Sequence, residues 1–133
     1  MMKALFKAKP KLTDREHMIV YVIRILDEKK HEGIRAMIPE YTLPKKVVRE
    51  ATGEGYIPEV TAFKNGEFRL FAVETKDALK DNEVGKRWEL FASYAKQNNA
   101  QFYVVFPVGM VAQVKDMLAR MNIDARLWQA SID

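Results

Sequence analysis

The stretch that decides the fold is GYIPEVTAFKNGEFRLFAVETKDAL, residues 55–79. Both halves are rich in β-branched and aromatic residues, and the Asn65-Gly66 pair between them is a strong signal for a two-residue hairpin turn. The predicted strands nevertheless carry Glu59, Glu74 and Lys76. Because removing a charge from water is costly, a charged residue in a strand that faces a core needs a partner or a task.

The hairpin register predicts where these three charges lie. A two-residue loop places Lys64 opposite Glu67, and the same register brings Glu59 and Glu74 to one face as diagonal neighbours, with Cβ atoms roughly 7 Å apart. Alternation along the strand adds Lys76 to that face. Two carboxylates at this separation suit a hard cation such as Mg²⁺, and a nearby lysine can orient or deprotonate a water molecule. The pattern therefore predicts phosphodiester hydrolysis.

Composition sets limits on the class of protein. The chain has 133 residues, of which 48% are hydrophobic and 30% charged, and this balance is typical of one soluble globular domain spanning 1–133. A net charge of +4 favours a polyanionic partner such as DNA. The absence of cysteine excludes disulfides, thiolate zinc sites and a cysteine nucleophile. Without an apolar run long enough to span a bilayer, we expect a cytoplasmic protein with no membrane partner; a homodimer is left open.

The rest of the chain alternates helix and strand signals. Thr13 and Glu16 form a capping-box pattern before a helical apolar repeat that Gly33 can end. The predicted order is α-β-β-β-α-β-α-β, an α/β fold. Outside the hairpin, the expected elements are helix 14–31, strand 34–38, helix 82–98, strand 101–107, helix 111–121 and strand 125–129.

These motifs resemble a known family. Pro58-Glu59, fourteen intervening residues and then Glu74-Thr75-Lys76 are similar to the signature of the PD-(D/E)XK nuclease superfamily, and the resemblance covers residues 14–107. It implies a restriction endonuclease-like three-layer core, in which helices flank a mixed central sheet. It also implies an endonuclease that cuts DNA with Mg²⁺ or Mn²⁺.

The resemblance further implies individual roles. Glu59 and Glu74 would be metal ligands, with the Thr75 carbonyl as a third, and Lys76 would act on the attacking water. Glu16 is the nearest candidate for the acidic residue that the family often carries in its first helix.

Several basic residues are candidate DNA contacts, with an ordinary solvated surface as the alternative for each. A loop after Pro44 contributes three of them, the start of the second long helix contributes two, and residues 1–12 form a predicted flexible basic arm. The candidates are Lys45, Lys46, Arg49, Lys86 and Arg87.

Two alternatives to the nuclease hypothesis stay open. The first is that Glu74 and Lys76 form an exposed ion pair on a solvated strand face, contributing less than about 1 kcal/mol. The second is a non-catalytic relative that binds nucleic acid or joins a complex, since Glu stands at position 59 where Asp is commoner in the family.

Overall fold

A mixed β-sheet forms the centre of the computed structural model, which describes residues 12–131. The elements follow the predicted order, with a short two-stranded ribbon and a 3₁₀ helix added. Their bounds are α1 Asp14–Glu28, β1 Glu32–Ala36, β2 Val47–Val48, β3 Gly55–Tyr56, β4 Val60–Lys64, β5 Glu67–Val73, the 3₁₀ helix Lys76–Lys80, α2 Glu83–Gln97, β6 Gln101–Pro107, α3 Val111–Arg120 and β7 Arg126–Ala130.

The main sheet has the strand order β1-β4-β5-β6-β7, while β2 and β3 pair only with each other. The β1, β4 and β5 strands are antiparallel, and β5, β6 and β7 are parallel. Parallel neighbours require crossover connections, and α2 and α3 supply them. Within residues 12–131, the fold is therefore a mixed five-stranded sheet with three α-helices; its restriction endonuclease-like identity stays a prediction.

Apolar residues cover both faces of the sheet. One core cluster joins α1 to residues such as Phe71 and Val105, and the other joins α2 and α3 to residues such as Leu70 and Val104. Because side chains alternate along a strand, neighbouring residues of β5 and β6 enter different clusters. Continuous apolar runs such as QFYVVFP are the sequence counterpart of this burial on two faces.

The predicted register of the hairpin is confirmed near its turn. Lys64 pairs with Glu67, and Phe63 with Phe68. Asn65 and Gly66 have φ values of 52° and 80°, which is the left-handed backbone that a type I′ turn requires at both central positions. Local turn chemistry therefore determines this end of the hairpin.

The prediction that Glu59 lies within a strand of the hairpin is wrong. Gly55 and Tyr56 pair with the β2 strand, and β4 begins only at Val60, after Pro58. Proline has no N–H to donate to a sheet, which accounts for the break in the ladder. The placement of Lys76 in the second strand is also wrong, because β5 ends at Val73 and Lys76 begins the 3₁₀ helix.

The first helix ends earlier than predicted, at Glu28 rather than at residue 31. Lys30 adopts the left-handed conformation with φ 66°, and the His31 N–H donates to the Leu26 carbonyl, which closes the helix. Gly33 instead lies within β1, where its φ of 58° accompanies a register irregularity between Glu32 and Arg35.

The predicted basic arm at 1–12 lies outside the described residues except for Leu12, which is exposed. None of the helices found in residues 12–131 has the length and apolar character needed to cross a bilayer.

Candidate functional site

The backbone brings Glu59 and Glu74 to the open end of the hairpin. Glu59 directly precedes β4 and Glu74 directly follows β5. The Val73 N–H donates to Glu59 Oε1 at 2.8 Å, and the Glu74 N–H donates to the Val105 carbonyl at 2.8 Å. Both residues are therefore held by the sheet although neither belongs to a ladder pair.

Strand alternation explains why the two carboxylates share a face. Val60 packs in the α1 cluster, so its neighbour Glu59 points toward the α2 side. Leu70 and Ala72 pack in the α2 cluster, and Glu74 continues their parity. The carboxylates are buried, with exposed fractions of 3% for Glu59 and 0% for Glu74. The predicted convergence of this pair is confirmed.

Two arginines bridge the pair. Arg15 Nη1 lies 3.3 Å from Glu59 Oε2, and Arg15 Nη2 lies 3.6 Å from Glu74 Oε1. Arg87 Nη1 lies 3.7 Å from Glu59 Oε2, and Arg87 Nη2 donates to both Glu74 oxygens at 3.2 Å. We call Arg15, Glu59, Glu74 and Arg87 the four-charge cluster.

Trp88 adds a neutral contact to the cluster, since its Nε1–H donates to Glu74 Oε2 at 2.8 Å. This hydrogen bond also accounts for a tryptophan that is itself fully buried. Arg87 and Trp88 come from the first turns of α2, so the packing of α2 on the sheet positions both donors.

The charge of Glu74 acts on the neighbouring Glu59 carboxyl. Burial, together with the charge of Glu74, raises the pKa of Glu59 to about 7, although the Val73 N–H and the two arginines favour the ionised form. The charges sum to zero when both carboxylates are ionised. Arg15 retains 34% of its side-chain exposure, so the cluster meets solvent on the Arg15 side.

Lys76 does not join the pair. It is exposed, and within residues 12–131 it forms no ion pair with either carboxylate. Its side chain instead helps to line a space between the 3₁₀ helix and α3, together with Gln113 and Met117. Lys76 does not follow the strand alternation because β5 ends at Val73.

Two other predicted residues have local structural tasks. The Thr75 carbonyl accepts a hydrogen bond from the Ala78 N–H at 3.1 Å, within the 3₁₀ turn. Glu16 completes the capping box, because its carboxylate accepts from the Thr13 N–H at 2.9 Å. Glu16 therefore stabilises the start of α1, and its neighbour Arg15 reaches the carboxylates instead.

Sequence reasoning missed Arg15 and assigned Arg87 only to DNA contact. A usable signal was present in both helices. Arg15 lies three and four residues before the buried Met18 and Ile19, and Arg87 lies three residues after the buried Val84. A charged residue on the apolar stripe of a helix indicates a buried ionic partner.

The other predicted DNA contacts lie on the surface, where two of them have acidic partners. Lys45 and Lys46 are exposed in the loop before the β2–β3 ribbon. Arg49 lies 3.7 Å from Glu54 and 3.5 Å from Glu89, and Lys86 lies 3.4 Å from Glu83; these distances are between side-chain nitrogen and oxygen atoms.

Glu59 and Glu74 offer oxygen ligands of the kind that a divalent cation binds, but only two of them. Two carboxylates are hard oxygen ligands, and Mg²⁺ is commonly held by one or two carboxylates with water completing its shell. Residues 12–131 contain no cluster of three or more histidine or acidic residues able to hold an ion. A cation at the pair would therefore depend on Glu59 and Glu74 alone among the acidic side chains.

No protein-family model matches the chain, and no curated protein or solved structure is similar enough to count as a match. The likeness to PD-(D/E)XK nucleases therefore depends on the motif residues and on the element order.

Proposed function

We propose that the protein is a metal-dependent nuclease that hydrolyses phosphodiester bonds of DNA at the four-charge cluster. The observation that carries the proposal is the pair of buried carboxylates, Glu59 and Glu74, held at one end of the sheet against the same two guanidinium groups. Apolar residues would stabilise a core at least as well as such a cluster, so its presence favours a chemical task.

In this proposal Glu59 and Glu74 hold the divalent cation. A bound Mg²⁺ or Mn²⁺ would supply Lewis-acid charge to the phosphate and activate a water molecule. Metal binding requires the guanidinium groups to turn away from the carboxylate oxygens that they now contact. Arg15, with 34% of its side chain exposed, has the exposure for such a movement, and its freed guanidinium would then be available to a phosphate.

The arginines then bind and orient the substrate. A guanidinium is always protonated and offers paired donors that match phosphate oxygens, so Arg15 and Arg87 act as anion clamps and not as bases. The scissile phosphodiester carries one negative charge, and its transition state carries about two. Two arginines match that developing charge, while the two carboxylates offset a divalent cation. Lys76 has no part in this arrangement.

A second candidate is a non-catalytic protein that binds nucleic acid or joins a complex. The specific observation in its favour is that the arginines already neutralise both carboxylates, and that the Thr75 carbonyl is engaged in a turn. In that case the cluster is a structural ion network. A cytoplasmic location and a homodimer stay predictions under either candidate.

The test is cleavage of plasmid, branched and single-stranded DNA with Mg²⁺, with Mn²⁺ and with EDTA. We expect cleavage with a metal and none with EDTA. Glu59→Gln should abolish cleavage while keeping the shape of the side chain. Glu28→Gln is the matched control, since Glu28 is exposed and lies on the same helix as Arg15.

Metal binding is measured separately by the shift of the thermal midpoint with Mn²⁺. A Mn²⁺-dependent shift that Glu59→Gln removes supports the nuclease. DNA binding without cleavage and without a Mn²⁺ shift supports the non-catalytic candidate. If the triple change of Lys45, Lys46 and Arg49 to Ala leaves DNA affinity and its salt slope unchanged, these three residues are only a solvated surface.

A further inference from the structure

A cavity lies on the opposite face of the sheet from the carboxylates. It has a volume of about 370 Å³. Its lining includes three aromatic and three basic side chains, from the α1–β1 connection and strands β5 to β7: Phe71, Tyr103, Trp128, Lys29, His31 and Arg69. The aromatic residues belong to the α1 core cluster, whereas Glu74 has the other parity of β5. The cavity is therefore separate from the four-charge cluster.

The aromatic side chains form an ordered floor. Phe71 and Tyr103 stack with centroids 4.9 Å apart and an interplanar angle of 20°. Phe71 and Trp128 meet edge to face at 5.9 Å. Phe71 is 1% exposed, while Tyr103 and Trp128 are only half-buried, so parts of these two rings are free to contact a ligand. Such rings suit a planar aromatic group, because bases stack on aromatic side chains.

The basic side chains give the cavity a positive wall. Arg69 Nε donates to Glu67 at 2.9 Å, and Nη1 lies 3.1 Å from His31 Nε2. A guanidinium has five N–H donors, so further donors stay available for an anion. Lys29 is exposed at the end of α1, and Lys64 Nζ donates to the Lys29 carbonyl. Of these three cations, only Arg69 forms an ion pair within residues 12–131, with Glu67.

The behaviour of His31 agrees with this positive field. Burial is the main cause that lowers the pKa of His31, and the charges of Arg69, Lys64 and Lys29 lower it further. A field that disfavours a proton on His31 favours an anion at the same place. The neutral imidazole can accept from Arg69, which helps to hold the guanidinium at the wall of the cavity.

We propose that this cavity binds a nucleotide unit, with its base against Tyr103 and Trp128 and its phosphate at Arg69 and Lys29. A free nucleotide and a nucleotide residue of a single strand share this chemistry. The proposal does not depend on catalysis at the four-charge cluster. A volume of this size is within the usual range of small-ligand sites, which begins at roughly 300 Å³.

Isothermal titration calorimetry tests the proposal, with EDTA present so that no metal links nucleotide to the carboxylates. The probes are the four common nucleoside 5′-monophosphates, adenosine, inorganic phosphate and a single-stranded hexanucleotide. We expect at least one monophosphate to bind about tenfold or more tightly than both adenosine and inorganic phosphate. Tighter binding of the hexanucleotide would identify a strand as the source of the nucleotide, and weaker binding would identify the free nucleotide.

Variants assign the binding to this cavity. Lys29→Gln and Arg69→Gln should weaken monophosphate binding by about tenfold and change adenosine binding less than about twofold. Tyr103→Leu should weaken both ligands. Lys115→Gln, which removes an exposed charge on α3, is the matched control and should have no effect.

The result can also overturn the proposal. The proposal fails if neither a monophosphate nor the hexanucleotide binds at millimolar concentration, since the aromatic side chains would then serve only to pack α1 on the sheet. It also fails if Lys29→Gln and Tyr103→Leu bind as the parent does. Lys29 is exposed, so its replacement tests binding even if a cavity variant does not fold.

Discussion

The β4–β5 hairpin holds its charged residues differently at its two ends. The closed end is the Asn65-Gly66 turn, and the open end is where Glu59 and Glu74 lie. At the closed end Glu67 and Arg69 are two residues apart and form a partly exposed ion pair at 2.9 Å. At the open end the carboxylates are buried, and Arg15 and Arg87 reach them from two helices. The closed end is thus a local arrangement, whereas the open end depends on how α1 and α2 pack on the sheet.

This difference has an energetic consequence. Exposed ion pairs contribute little because water screens them and because two long side chains must be ordered. A buried charge that loses its partner is costly, since nothing replaces the lost contact. Substitutions at the two ends of one hairpin should therefore differ in effect by several-fold.

The largest expected effect is that of Glu74→Ala. It leaves two guanidinium groups and the Trp88 N–H without their shared acceptor, so the free energy of unfolding should fall by about 3–5 kcal/mol. Urea unfolding measures the change. Glu67→Ala at the closed end is the control and should cost no more than about 1 kcal/mol. Equal losses at both ends would show that the open-end cluster is solvated.

The second effect compares two basic residues near the open end. Arg87→Ala removes contacts to both buried carboxylates and should lower the free energy of unfolding by about 2–3 kcal/mol. Lys76→Ala removes an exposed side chain and should change it by less than about 0.5 kcal/mol. If the nuclease proposal holds, cleavage should be lost in the first variant and kept in the second.

The opposite activity result would restore the role that the sequence motif predicts for Lys76. Loss of cleavage in Lys76→Ala, with stability unchanged, would mean that Lys76 acts on the water molecule once DNA is bound. The comparison is informative because both variants can be checked for folding by the same unfolding curve.

The same contrast explains what could be predicted from the sequence. The Asn65-Gly66 turn, the β6 run and the convergence of Glu59 with Glu74 depend on local backbone preferences and on period-two alternation, which a sequence displays directly. The end of β5 at Val73 and the partners of the carboxylates depend on packing between distant elements. Thr75 is the N-cap of the 3₁₀ helix that turns Lys76 away, but its side chain makes no capping hydrogen bond, so the local signal for this helix is weak.

The positions of the helices were also partly predictable, because apolar periodicity is visible directly in the sequence. Apolar periodicity placed α1 and α2, yet periodicity alone ignored the charged residues Arg15 and Arg87 on the apolar stripes. Their partners lie 44 and 13 residues away in sequence. A rule that flags a charge on an apolar stripe would have identified both as site candidates.

A smaller effect is expected at the turn itself. Gly66 has a φ of 80°, and a Cβ at this position would meet no atom within 4 Å. Gly66→Ala should therefore cost about 1 kcal/mol from backbone strain alone. Asn65→Gly keeps the left-handed backbone accessible and should stay within about 0.5 kcal/mol of the parent. Chemical denaturation measures both, and a loss above about 3 kcal/mol in Gly66→Ala would show that the turn is coupled to distant packing.

The smallest effect concerns pH near the closed end, where His31 contacts Arg69. Since arginine can only donate, Nε2 of His31 is the acceptor, and Nδ1–H donates to the Leu26 carbonyl at 3.1 Å. Burial and the Arg69 charge lower the pKa of His31 in the folded state, while the unfolded chain keeps a pKa of about 6.5.

The sign of the pH dependence follows from proton binding. Above pH 6.5 both states carry a neutral imidazole, and below it the unfolded state binds the proton more readily, so the folded state loses stability as pH falls. The free energy of unfolding of the parent minus that of His31→Gln should therefore decrease from pH 8 to pH 5, by at most about 1.4 kcal/mol per pH unit. Urea unfolding at four pH values measures this difference, because the other titrating groups are common to both proteins. A difference that stays constant, or that increases as pH falls, would show that His31 is not held neutral beside Arg69 and that the closed end lacks the positive field described for its cavity.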